Sequence, residues 1–204
     1  RMIVYGEKAG AGSMGYDRLL KNVRAGNFES YYRLFQFASI AEHLAEEFGT
    51  RGQPISLTTA CASGATSVQL GVEAIRRGAT DAALCVGRAL EEEIEVFAET
   101  EVEHLIGFVE NDDPQGASKP FSKTRDGFVM AEGSATLVLE SYQAAKARGA
   151  KILGVVRGTG ERADTFHRTR STPDGSAIID TINRSLADAG MTPADIDEVV
   201  LVGG

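Results

Sequence analysis

One cysteine stands where an apolar, strand-like run turns into a helix of small residues, and this junction constrains the fold more than any other part of the chain. Its residues are Thr59-Ala60-Cys61-Ala62-Ser63-Gly64. The preceding run, Pro54-Ile55-Ser56-Leu57-Thr58-Thr59, alternates and is rich enough in β-branched side chains to read as a strand over 54–60. After it, Ala65, Val68, Val72 and Ile75 fall at helical spacing, which predicts a helix closed by Arg76, Arg77 and Gly78. A sharp strand-to-helix turn projects its side chain forward, as a nucleophile elbow does, and brings backbone N–H groups within reach of an oxyanion. The positive end of the helix dipole there favours thiolate over thiol. Most cysteines are small buried hydrophobes, and Cys85, inside the apolar run 81–86, fits that description. The residues around Cys61 leave both a nucleophile and a structural thiol open.

The rest of the chain alternates strand and helix patterns. Residues 2–5 read as a strand, 6–15 as a Gly-rich turn and 16–24 as a helix. A longer helix over 31–48 carries Leu34, Phe37, Ile40, Ala41, Leu44 and Phe48 on one face and stops at Gly49. Strands follow at 81–87, 136–140, 151–157 and 198–202, with helices at 142–148 and at 176–189, the latter ended by Gly190. Thr192-Pro193-Ala194-Asp195 is a capped helical start with Pro at the first helical position. Such alternation predicts an α/β fold with a mainly parallel sheet. No linker divides the 204 residues, so one domain is expected over 1–204.

Composition narrows the function classes. The chain is 43% hydrophobic and 25% charged, ordinary for a soluble globular protein, and no run approaches the length of a membrane span. Residues 1–5 running straight into a strand and a Gly-rich turn lead us to expect no secretory signal, and two cysteines without framework spacing point to a reducing, cytoplasmic setting. A formal net charge of −8 argues against nucleic-acid binding as the main function. The glutamate-rich stretch 91–103 reads as a solvated helix face. His43, His104 and His167 are scattered and offer no metal-ligand spacing. Gly10-Ala11-Gly12-Ser13-Met14-Gly15 fits a dinucleotide fingerprint but lacks the second strand with its acidic end, so no nucleotide cofactor is expected.

Two separated blocks carry a family likeness. Thr59-Ala60-Cys61-Ala62-Ser63-Gly64-Ala65, with the helix ending 71–78, resembles the nucleophile region of the β-ketoacyl-acyl-carrier-protein synthases. About 60 residues on, Lys119-Pro120-Phe121 through Arg125-Asp126-Gly127-Phe128-Val129 to Glu132-Gly133 resembles that family's P-F-x-x-x-R-D-G-F-V-x-x-E-G stretch. Phe166-His167-Arg168-Thr169 and Ala187-Asp188-Ala189-Gly190 are softer matches in the right order, and the elongating, type II subclass is the nearest likeness.

The resemblance implies a thiolase-like fold of stacked α-β-α-β-α layers, of which this chain would supply mainly one half, cut short at both ends. It implies a homodimer or pairing with a synthase-like partner, an acyl carrier protein bearing acyl and malonyl thioesters as substrate, and no metal or other cofactor. It makes Cys61 the acyl-accepting nucleophile. Phe128 matches an aromatic that lines or gates the acyl pocket, and His167 and Thr169 fall in a loop expected to face substrate. Relatives also carry a histidine in an H-G-T-x-T loop, another in a G-H motif and a Gly-Phe-Gly loop, and none of the three histidines here stands in such a motif. Arg88 replaces a usual glycine. Beside the condensing enzyme stand two other readings: a non-catalytic synthase-like partner subunit, and an acyltransferase that stops at the acyl-enzyme.

Overall fold

The computed structural model describes residues 20–27, 37–89, 115–125, 133–167 and 170–200. The expected elements at 2–5, 6–15 and 31–36, and the glutamate-rich stretch 91–103, lie outside the described residues. The chain divides into two compact units, residues 1–58 with 92–100 and residues 59–91 with 101–204.

The first unit holds helix α1, Phe37–Phe48. It stops where the sequence places its stop: Gly49 takes φ 62°, and the Thr50 N–H reaches back to the Ala45 carbonyl at 3.1 Å. Residues 54–58 of the strand expected over 54–60 run without sheet pairing among the described residues.

The second unit holds α2 (Ser63–Arg76), β1 (Ala82–Ala89), β2 (Gly133–Glu140), α3 (Tyr142–Ala147), α4 (Ser176–Ala189) and a 3₁₀ turn at Pro193–Asp195. The two strands pair antiparallel, with Cys85 opposite Leu137 and Ala83 opposite Leu139. This corrects the parallel expectation for the described strands. Parallel pairing follows from a crossover helix between neighbouring strands, and the alternation rule has no hold on two strands separated by residues 90–132.

Helix α2 lies on the face of the pair that carries Ala83, Cys85 and Leu139. Its glycines make this possible. A Cβ built on Gly71 would stand 2.5 Å from the Cys85 sulfur and 3.2 Å from the Leu139 side chain, and one on Gly64 would meet the Gly87 Cα at 3.6 Å. The opposite face presents Leu84 and Val138 to solvent, Val138 at 65% exposure. The apolar run 151–157 also lacks strand pairing among the described residues, and Leu153 is 89% exposed. Its composition is that of a strand, but regular strand structure needs a neighbouring backbone to bond.

Helices α2 and α4 end where the sequence places their stops. At Gly78 (φ 69°) and Gly190 (φ 64°), the following N–H groups of Ala79 and Met191 bond the carbonyls of Ala74 and Leu186 at 2.9 Å. Only a residue without Cβ adopts that left-handed cap freely. Thr192 and Asp195 form a reciprocal capping box around Pro193–Asp195, so the capped start is present as one 3₁₀ turn.

Candidate active site

Cys61 is exposed on a strained turn. Ala60, just before it, holds φ 52°, a left-handed conformation that costs a residue with a Cβ about 1–2 kcal/mol. Local hydrogen bonds hold the turn in place. The Thr59 N–H donates to the Ser63 hydroxyl at 2.9 Å, and that hydroxyl donates to the Ala60 carbonyl at 2.7 Å. The Ala62 and Ser63 N–H groups bond the Thr59 and Ala60 carbonyls at 3.2 and 3.1 Å. Strain held by surrounding bonds just before an exposed thiol, at the start of a 14-residue helix, is the geometry expected of a nucleophile elbow.

Cys85 has the opposite character. It is buried beneath α2 against Gly71, and desolvation pushes its thiol pKa up. Iodoacetamide is therefore expected to label Cys61 alone in the native chain and both cysteines in denaturant. Native labelling of Cys85 at a comparable rate, read by peptide mass mapping, would refute this placement.

The segment that leads to His167 reaches back to the elbow helix. The Thr66 hydroxyl lies 3.0 Å from the Thr59 hydroxyl and donates to Glu161 Oε1 at 3.3 Å. At the other end of α2, Arg76 donates to both Asp188 oxygens at 2.9 and 2.7 Å and to the Arg157 carbonyl at 2.9 Å. Asp188 also accepts the Thr159 N–H at 2.8 Å. Arg76, then the Thr159 N–H, hold its carboxyl below the usual carboxylate range. Residues 157–161 thus run beside α2 and are fastened near both of its ends.

His167 is exposed, in a loop that Asp164 organises. Asp164 accepts the Phe166 N–H at 3.0 Å, the Thr172 N–H at 2.8 Å and the Thr172 hydroxyl at 2.7 Å. Those bonds lower its carboxyl pKa, the Thr172 N–H most. A polar cavity of about 400 Å³ opens at the base of this loop, between Arg162, Asp164, Thr172 and the first turns of α4. Phe128 and Thr169 lie outside the described residues, and so does the Arg88 side chain.

Sequence reasoning missed Thr66, Glu161, Asp164 and the Arg76–Asp188 pair. Each works through a partner distant in sequence or through a turn with no motif of its own. The spacing Gly158-x-Gly160 was a usable signal, since two glycines on one face of an extended segment mark a close backbone approach. Among the described residues no group of His, Cys, Asp or Glu is placed to hold a metal ion, and no helix is long and apolar enough to cross a membrane.

The chain is similar to known proteins in sequence and in fold. The family described as β-ketoacyl synthase, N-terminal domain, matches residues 6–145. The chain is 40% identical over 141 residues to 3-oxoacyl-[acyl-carrier-protein] synthase 2 of Mycobacterium tuberculosis, covering 69% of this chain and 34% of that protein. It is 37% identical over 169 residues to the tetracenomycin polyketide synthase ketoacyl synthase alpha subunit of Streptomyces glaucescens, covering 82% and 39%. Among solved structures, a β-ketoacyl synthase from Burkholderia phymatum superposes with a TM-score of 0.66 at 31% identity, over 76% of this chain and 37% of that one. A type II polyketide ketosynthase bound to a hexaketide and in complex with its acyl-carrier protein gives 0.68 at 31% identity, over 90% and 41%. The chain spans between a third and two fifths of the length of the curated relatives it matches. With the cysteine elbow, the small-residue helix behind it and this coverage, the chain belongs to the β-ketoacyl synthase family, as part of its thiolase-like α/β fold.

Proposed function

We propose that Cys61 accepts an acyl chain from a carrier-protein thioester, as the first half-reaction of a β-ketoacyl synthase of fatty-acid or polyketide synthesis. The exposed thiol on the strained Ala60–Cys61 turn carries this reading. The Cys61 sulfur adds to the thioester carbonyl and the carrier's thiol leaves, so the acyl group ends on Cys61 as a new thioester. The Cys61 N–H serves as one donor to the oxyanion formed on the way. The carbanion released when a malonyl thioester loses carbon dioxide then attacks the acyl carbonyl, and the Cys61 thiolate leaves as the carbon–carbon bond forms. His167 and Thr169 contact the incoming substrate and Phe128 lines the acyl pocket.

Support for the partners comes from relatives. One solved neighbour is a ketosynthase held by its acyl-carrier protein, and another is a ketosynthase in complex with its chain length factor. An acyl carrier protein and a second synthase subunit, a copy of this chain or a related one, are the corresponding partners here. The two unpaired cysteines favour a reducing, cytoplasmic setting. An intact nucleophile turn disfavours a purely structural subunit.

Incubation with an acyl-carrier-protein thioester is expected to add one acyl mass to the chain, mapped to the peptide that contains Cys61. A chain that stays unmodified while folded would overturn the reading.

A further inference from the structure

The geometry points to Glu161 as a positioning residue for the Cys61 elbow, acting through Thr66 and Thr59. This rests on the reading of Cys61 as the acyl acceptor, and it adds a residue to that site. The hydrogen bonds have a direction. A threonine hydroxyl has one proton, and Thr66 gives its proton to Glu161 Oε1 at 3.3 Å. The Thr66 oxygen is then left to accept, so the contact of 3.0 Å with Thr59 is a bond donated by Thr59.

Thr59 is also the residue whose N–H is bound by Ser63 at 2.9 Å, and its carbonyl takes the Ala62 N–H at 3.2 Å. Its position sets where the left-handed Ala60 and then Cys61 begin. A carboxylate 95 residues away in sequence from Thr66 therefore orients the first residue of the turn. A hydroxyl pair alone has no preferred direction; adding an acceptor that cannot donate fixes one.

The second fastening of the same segment makes the placement firm. Arg76 and Asp188 tie residues 157–159 to the far end of α2, and Gly158 and Gly160 let the segment press against the backbone of α4. Glu161 follows directly, so its backbone is set by contacts independent of its side chain.

The test compares Glu161→Gln with Glu161→Ala, each with and without Thr66→Val. Both Glu161 variants remove the charge, whereas only glutamine keeps an acceptor for Thr66, and the part of their difference that Thr66→Val abolishes reads the hydrogen bond. Two readouts are taken on the whole chain: amide hydrogen exchange of the peptide spanning 59–66, and the rate at which a small acyl thioester acylates Cys61. The alanine variant is expected to exchange faster and acylate more slowly than the glutamine variant, by about three- to tenfold, the net worth of one hydrogen bond. The midpoint of the alanine variant should fall by no more than the same fold-change in its unfolding equilibrium, so that the rest of the fold is unaffected. With Thr66→Val present, the difference between glutamine and alanine should vanish.

Equal behaviour of the two Glu161 variants would overturn the proposal, and so would a difference that survives Thr66→Val. Exchange that follows the expected order in a chain that no thioester acylates would remove the nucleophile reading and the catalytic role of Glu161 with it, while leaving the Glu161–Thr66–Thr59 linkage intact. Wild-type acylation with no dependence on Glu161 would do the reverse.

Discussion

Gly158→Val is expected to unfold at a markedly lower urea concentration than wild type, with a loss of about 3 kcal/mol or more for over-packing that cannot relax. The reason is the identity of the atoms in the way. A Cβ at Gly158 would overlap the Ser185 carbonyl oxygen and stand 2.6 Å from the Ala189 nitrogen and 2.8 Å from its Cβ. At Gly160 it would overlap the Thr181 carbonyl oxygen and stand 2.6 Å from the Ser185 nitrogen. The carbonyl oxygens and nitrogens are main-chain atoms of α4, already committed to the helix ladder, and the Ala189 Cβ has no rotamer, so no side-chain rotation makes room. Moving α4 away also pulls Asp188 from Arg76 and from the Thr159 N–H. Gly154 supplies the contrast within the same segment. Nothing lies within 4 Å of a Cβ there, and a Gly→Ala change at such a site is worth up to about 1 kcal/mol in favour of folding, because it restricts the unfolded chain. Equal midpoints for Gly158→Val and wild type would show that the close approach of residues 158–160 to α4 is wrong.

How much of this was legible beforehand depends on the range of the interaction. Helix ends were readable because their determinants lie within five residues of one another: Gly49, Gly78 and Gly190 as left-handed stops, and the Thr192–Asp195 box. Cys61 was readable as a turn because its flanks change from β-branched to small within a few positions. The structural role of Cys85 was readable from the apolar strand around it, and its burial against Gly71 confirms it. The support under the elbow was not readable. Thr66 meets Glu161 across 95 positions and Arg76 meets Asp188 across 112, and nothing local in an ordinary charged or hydroxyl residue announces such a partner. Strand direction failed for the same reason. The pairing of Cys85 with Leu137 joins residues on either side of a long intervening segment, and periodicity reports which face of a strand is apolar without reporting which way its neighbour runs.

Cys61→Ala is expected to lose acyl loading altogether, by a factor on the order of a thousand or more, while folding as well as wild type. The two halves of that expectation rest on different observations. The chemical half follows from the sulfur, since an alanine at the tip of the turn leaves no atom there to form the thioester, and Cys85 is buried and held protonated by desolvation. The structural half follows from where the turn's bonds lie. Its hydrogen bonds join Thr59, Ala60, Ala62, Ser63 and Thr66, and the exposed Cys61 side chain fills no core position. Removing one sulfur atom from the surface leaves that frame standing, so the circular dichroism spectrum and the urea midpoint should coincide with those of wild type. Acylation that persists in this variant would place the nucleophile elsewhere. Loading lost together with a lowered midpoint would make Cys61 a structural residue of the turn and withdraw its assignment as the acyl acceptor. If loading alone disappears, the strain held at Ala60 has a chemical purpose: it is what sets the thiol at the tip of the helix, where an incoming thioester can meet it.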